Sequence, residues 1–195
     1  MRLFLLARHG QSLFNIDGVV NGDPALDRGL SEQGIEEAER LGGEIAGVRI
    51  DLAVVSPFPR AQQTANIALG GREVPHLVED DLGDVRVGEL EGATLDVYRA
   101  APAHTNRKER FPGGESLDEA ALRYAAVFER LLAREEKTML IVCHEIPVRY
   151  VVNAAAGSDD LNGPTRSIAN ATAYLFDDES LGRAVERVRA IASRP

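Results

Sequence analysis

The 195-residue chain has one cysteine, no tryptophan and two methionines, and aromatic residues make up only 5% of it. A lone Cys143 can form no intramolecular disulfide and has no thiolate partner for a zinc cage, so a reducing, cytoplasmic setting is expected. Long hydrophobic runs are missing too. Nothing approaches the roughly 20 apolar residues that a membrane-crossing helix needs, and no membrane partner is expected. The opening run Leu3 to Ala7 stops at Arg8, which is too short for the apolar region of a secretory signal, and reads as a strand. Basic charge is in deficit, with 22 Lys and Arg against 31 Asp and Glu, a formal charge of −9. A protein that tracks a phosphate backbone needs the opposite balance, so no nucleic acid is expected and any anionic ligand must meet a local cationic pocket. H-E-x-x-H, an Asp-rich cluster beside a histidine and G-x-S-x-G are all absent, which removes the usual sequence grounds for a metal site or a serine hydrolase built on Ser12. No metal and no cofactor are expected. A homo-oligomer is compatible with the sequence, which does not choose among oligomeric states.

What is present is an ordinary globular composition, 44% hydrophobic and 27% charged, of a length that one core can cover, so residues 1–195 are read as a single domain. Strand-length apolar runs recur at Leu3 to Ala7, Leu52 to Val55, Met139 to Cys143 and Ala171 to Phe176, with helical patterns between them. Ser31 caps one expected helix, with Ile35, Ala38, Leu41 and Ile45 near one face. The capping-box spacing from Ser116 to Glu119 starts another, running to about Glu135 with Leu117, Ala121, Tyr124, Phe128 and Leu131 buried. Strands apolar on both faces imply helices on both sides: an α/β fold, a three-layer α/β/α sandwich with a mostly parallel central sheet. Ala100 to Gly114, rich in proline and glycine, reads as an irregular loop, and residues 95–114 as a cap over the site.

Ligands of open α/β sheets collect beyond the carboxyl ends of the strands. Arg8, His9, Gly10, Gln11 and Ser12 follow the first run, Ser56, Pro57 and then Arg60 the second, and His144 the third. Two histidines and two arginines therefore converge on one sheet edge. A neutral imidazole is a competent nucleophile, and permanently charged planar guanidiniums suit the oxygens of a phosphoryl group, so phosphoryl transfer is the chemistry this set fits. His76 and His104, which follow no such strand, are read as structural.

Arg8-His9-Gly10 after an N-terminal strand resembles the RHG signature of the histidine phosphatase superfamily (phosphoglycerate mutase-like, branch 1). Leu30-Ser31-Glu32-Gln33-Gly34, the run Ser56 to Ala65 containing Arg60-Ala61-Gln62-Gln63-Thr64-Ala65, Gly114-Glu115-Ser116 and Val142-Cys143-His144 are similar to its further motifs, in its order and along nearly the whole chain. The resemblance implies a phosphoglycerate mutase-like fold in which His9 is phosphorylated and Arg8, Arg60 and His144 hold the phosphoryl group. It also implies that a carboxyl group protonates the leaving oxygen. Leu82 to Gly92 aligns with the segment that carries this acid and puts Asp84 on its position, where glutamate is usual; Asp80 and Asp81 are the alternatives. Asn15, Asn21 and Gly22 fall where the family contacts phosphate. Gln11 stands where glutamate is common, and Glu145-Ile146 where small residues usually follow the second histidine; Glu145 is expected beside the phosphate, tolerable if its side chain turns away. The implied activity is metal-independent hydrolysis of a phosphorylated small molecule. The alternatives are a mutase, whose relatives usually carry more chain over the site, or a degenerate member that only binds phosphorylated ligands or protein partners. Tyr98, Arg99, Arg107, Lys108 and Arg110 are read either as holding a second anionic group of the substrate or, equally, as a solvated basic loop.

Overall fold

Along the central strands neighbouring side chains point to opposite faces, and both faces are apolar. The structure, a computed structural model, describes residues 2–194. Five strands, β1 (Leu3–Arg8), β2 (Leu52–Val55), β3 (His76–Val78), β4 (Thr138–Cys143) and β5 (Ala173–Asp177), form one sheet in the order β3-β2-β4-β1-β5. The first four run parallel and β5 pairs antiparallel to β1. Helices α1 (Leu13–Asp17), α2 (Glu32–Glu44), α3 (Pro59–Leu69), α4 (Leu95–Ala100), α5 (Leu117–Leu132), α6 (Glu145–Ala155) and α7 (Asp178–Ala192) fill the connections.

The alternation sorts them into layers. Leu5, Ala7, Ala53, Val55, Leu140 and Val142 pack with Leu41 of α2 and Ala61, Ala65 and Leu69 of α3. Phe4, Leu6, Val54, Ile141 and Cys143 point the other way, into a larger core with α5, α6 and α7. The expected sandwich with its mostly parallel sheet is thus formed.

Several boundaries differ from the sequence reading for local reasons. The last strand starts at Ala173 because Ala171 has positive φ and turns the chain, its N–H donating to Arg8 O. The helix capped by Ser116 ends at Leu132, three residues early, and its capping box with Glu119 is formed. β3 goes unseen in the sequence because it is three residues long and half-exposed. In α2, Ile35 is exposed (42%) and Gly34 takes the buried position instead. The expected irregular segment after Ala100 holds a single 3-10 turn, Pro102–His104.

Candidate active site

Sheet register brings residues distant in sequence together. Arg8 lies opposite Cys143, so the next residues, His9 and His144, leave the sheet side by side, with ring centroids 5.3 Å apart in an edge-to-face pair. On the other side of β4, Val55 pairs with Val142 and delivers Ser56, whose Oγ lies 2.7 Å from His144 Nε2.

His9 is buried, and its Nδ1 donates to Gly10 O at 2.7 Å. That contact places the ring proton on Nδ1 and leaves the Nε2 lone pair facing the site, where Arg60 Nε donates to it at 3.1 Å. Burial, then the charges of Arg60 and Arg8, hold its pKa well below the usual histidine value. The ring is therefore neutral at Nε2, the state a nucleophile requires.

Arg60 stands in the first turn of α3, where the helix dipole disfavours a cation and where Phe58, at the N-cap, has no side chain able to cap. Asp27 resolves both problems: its fully buried carboxylate accepts the Arg60 N–H at 2.9 Å and lies 3.4 Å from Nη1. The guanidinium is then fixed on all sides. Nη1 donates to Asn21 Oδ1 at 2.5 Å, Nη2 to Asn21 O at 3.2 Å, and the Phe58 ring lies under its plane at 4.3 Å. Nη2 also donates to His144 Nδ1 at 3.3 Å, which leaves His144 Nε2–H to donate to Ser56. Burial and the Arg60 charge keep His144 neutral as well.

Asp84 faces this pair, with Oδ2 3.5 Å from Arg60 Nη2 and 3.4 Å from His144 Nδ1. Burial raises its pKa against the opposing pull of Arg60, and a raised pKa is what a carboxyl needs to carry a proton near neutrality. Its alternatives lie elsewhere: Asp81 pairs with Arg130 and Arg86, and Asp80 does not line the cleft. The second arginine of the set, Arg8, donates from Nη1 to Ile168 O and pairs with Glu145 Oε2, both at 2.9 Å, while its buried Nε has no partner.

Arg8, His9, Arg60, Asp84 and Glu145 line a cleft of about 630 Å³ together with Tyr98, Arg99, Arg149 and Arg166, while His144 is fully buried behind that wall. The N-terminus of α6 opens on it through Glu145 and Ile146, and a helix start favours an anion. Among the described residues no cluster of three or more His, Cys, Asp or Glu side chains is arranged to hold a metal ion.

Other residues singled out in the sequence fall differently. Asn15 lines the cleft, but its Oδ1 closes the capping box with Ser12 at the start of α1. Asn21 turns its side-chain oxygen to Arg60 and its amide to Glu91 and Asp23, so it holds the guanidinium. The Gly22 N–H donates to Glu91 Oε2 at 2.6 Å, and Gly22 is not part of the cleft wall. The Glu145 side chain turns to the two arginines Arg8 and Arg149. Arg107, Lys108 and Arg110 do not take the anion-binding role, one of the two readings open to them. Arg107 is bound to Asp118 and Tyr150, Arg110 to Glu119, and Lys108 is exposed away from the cleft, so only Tyr98 and Arg99 of that group line it.

Sequence reasoning missed Asp27, Glu91 and the pair Arg123–Glu115. The buried Arg123 guanidinium binds Glu115 and donates to the carbonyls of Asp81, Gly83 and Asp84, bracing the loop that carries Asp84. The one available signal for Asp27 is negative, a helix start at Phe58 lacking its own cap.

The chain matches the model of the histidine phosphatase superfamily (branch 1) over residues 4–191. A 2,3-bisphosphoglycerate-dependent phosphoglycerate mutase of Methylobacterium radiotolerans is 31% identical over 192 residues, which cover 90% of this chain and 89% of that one. Among solved structures, the alpha-ribazole phosphatase from Shigella flexneri superposes with a TM-score of 0.76 at 23% identity, over 90% of each chain. A mycobacterial glucosyl-3-phosphoglycerate phosphatase does so with a TM-score of 0.73 at 23% identity, over 89% of each. At such identities these two structures establish the shared fold.

Proposed function

Because the chain belongs to the histidine phosphatase superfamily (branch 1), we propose that it hydrolyses a small-molecule phosphomonoester, without a metal, through a phosphohistidine on His9. The observation that carries this reading is the presentation of His9 Nε2: a lone pair on a neutral ring anchored at Gly10 O, with Arg60 beside it and Asp84 across the cleft. Nε2 attacks phosphorus as the bond to the ester oxygen breaks, and the Asp84 carboxyl gives its proton to that oxygen. A water then gives a proton back to Asp84 and attacks the phosphohistidine, releasing inorganic phosphate and regenerating both groups. Arg8 and Arg60 bring positive charge to the equatorial oxygens, where the negative charge of the transition state is spread, and His144 acts through the Arg60 guanidinium it touches.

A mutase would use the same groups and return the phosphoryl group to a bound alcohol. The names of relatives such as the Methylobacterium protein favour it, and since that relative is matched over 89% of its length, chain length does not separate the two reactions. Hydrolysis is supported by the small cap, one six-residue helix and a 3-10 turn, beside a cleft roomy enough for water. The test is turnover of p-nitrophenyl phosphate with excess EDTA, comparing wild type with His9→Ala. Hydrolysis that survives EDTA and falls at least ~10³-fold in the variant is expected, with acid-labile ³²P on the wild-type protein. Unchanged turnover in His9→Ala sinks the mechanism, and positional exchange of phosphate faster than its release assigns a mutase. No turnover of any phosphoester assigns a binding protein.

A further inference from the structure

Glu145 is the first residue of α6, directly after His144, and its carboxylate bridges two cations on the cleft wall. Oε2 lies 2.9 Å from Arg8 Nη1 and Oε1 3.1 Å from Arg149 Nη1. The helix start stabilises a negative charge at this position, and the side chain is nearly three-quarters buried. The bridge halves the formal positive charge that Arg8 and Arg149 would otherwise present beside the phosphoryl site.

It also occupies the donors that a second anion would use. Arg149 Nη1 is shared between Glu145 and Arg166 O, and Nη2 donates to Asn162 Oδ1 at 3.2 Å, so the Nη1 end of the guanidinium that would grip a carboxylate is already taken. Among the described residues three buried side-chain polar atoms lack a partner: Arg8 Nε, Arg149 Nε and His104 Nε2. All three residues line this cleft. Arg8 Nε lies on the phosphoryl side. Arg149 Nε offers a single donor, and His104, held edge-on against Tyr98 and kept neutral by burial and the nearby arginines, a single ring nitrogen. Isolated single partners suit hydroxyl groups.

We propose that Glu145 is a specificity-determining residue that excludes a second anionic group next to the phosphoester, so that the alcohol released is uncharged and hydroxyl-bearing. This rests on the phosphatase reading. A carboxylate close to the ester oxygen would share this wall of the cleft with the Glu145 carboxylate, and like charges in a partly dehydrated site repel. Arg99 and Arg166 also line the cleft, but as exposed side chains their charges are screened by water and offset little of that repulsion.

The test uses two ligands that differ only at this point, glycerol 3-phosphate and 3-phosphoglycerate, whose terminal groups are a hydroxymethyl and a carboxylate. Dissociation constants are measured by calorimetry in a His9→Gln background, so that neither ligand is turned over and the result stands whether or not the chain releases phosphate. With Glu145 present, glycerol 3-phosphate should bind at least ~10-fold more tightly. Adding Glu145→Gln, which keeps the side chain's size and removes its charge, should shift the ratio at least ~10-fold toward 3-phosphoglycerate, about 1.4 kcal/mol. Glu145→Ala should move it the same way. If Glu145 merely props Arg8, both ligands weaken together and the ratio holds within ~2-fold, which overturns the proposal. So does tighter binding of 3-phosphoglycerate with Glu145 in place. The phosphatase reading fails separately, if p-nitrophenyl phosphate turnover does not depend on His9.

Discussion

At the scale of single residues the two titratable groups of the site are shifted in opposite directions from their values in water. His9 is kept neutral by burial and by Arg60, and Asp84 is kept protonated to higher pH by burial. The active form therefore has neutral His9 and protonated Asp84. It is lost as pH falls through the depressed pKa of His9 and as pH rises through the raised pKa of Asp84. Asp84→Asn should slow hydrolysis of an alkyl phosphate by roughly 10²–10³-fold and of p-nitrophenyl phosphate by much less, since only the poor leaving group needs the proton. The basic limb of the kcat/KM profile should vanish in the variant. Measuring both enzymes with one substrate cancels the titration of the substrate itself, and a basic limb that persists in Asp84→Asn would move the acid role to another group. The residues that hold these groups were the least legible in the sequence. Asp27 reaches Arg60 from 33 positions away, and no local pattern in its turn marks it as the partner of a buried guanidinium.

At the scale of elements, the start of α2 rests on the loop after β1 without room for a side chain. A Cβ on Gly34 would sit 2.0 Å from Gln11 O, and one on Gly10 would sit 2.4 Å from Gly34 O. This close approach gives the Leu30 to Gly34 motif a physical reason, and it explains why Ile35 rather than Gly34 faces solvent. Gly34→Ala should cost about 1–3 kcal/mol and lower kcat/KM at least ~10-fold by displacing the loop beside His9. Gly43, in the same helix with open space around it, should respond oppositely: Gly43→Ala should gain about 0.5–1 kcal/mol with kcat/KM unchanged. Urea unfolding midpoints and steady-state kinetics read both, and equal effects at the two positions would refute the packing argument. The loop carrying Asp84 depends on α5 in a similar way. Arg123→Ala leaves Glu115 buried without its cation and removes the donor to the carbonyls of Asp81 and Asp84, while Gly83 O keeps the Tyr124 hydroxyl, at a cost of roughly 3–5 kcal/mol. Thermal denaturation should fall by roughly 6 °C or more, with kcat reduced because Asp84 is no longer held. The capping box and buried stripe of α5 were readable from spacing alone. Glu115 was readable only as a motif residue, because its partner Arg123 lies on the same helix system yet acts on a loop some 40 residues upstream.

At the scale of the whole molecule, a parallel arrangement of three adjacent strands delivers the site from segments that begin at residues 9, 56 and 144. The alternating core pattern and the polar residues after each apolar run made this much legible, since register follows once the strands are central. The edges were not: β3 is too short and exposed to show a pattern, and the antiparallel sense of β5 depends on the turn at Ala171. Burying two neutral imidazoles at the sheet edge also sets how the fold responds to acid. In the unfolded chain both histidines bind a proton below about pH 6.5, whereas in the fold His9 and His144 resist it to lower pH. As pH falls below the unfolded value the unfolded state therefore binds more protons, and stability declines until the folded pKa values are reached. Two such groups give a slope of up to about 2.7 kcal/mol per pH unit. Asp84, whose folded pKa is raised, works in the opposite direction, losing stability as pH rises through that value. Comparing wild type with His9→Gln separates the terms: the variant should lose close to half of the histidine slope between pH 6.5 and 5, read as the change in urea unfolding free energy. A slope identical in both proteins would mean that His9 accepts its proton in the fold as readily as in the open chain, and the neutral nucleophile inferred from its burial would not exist.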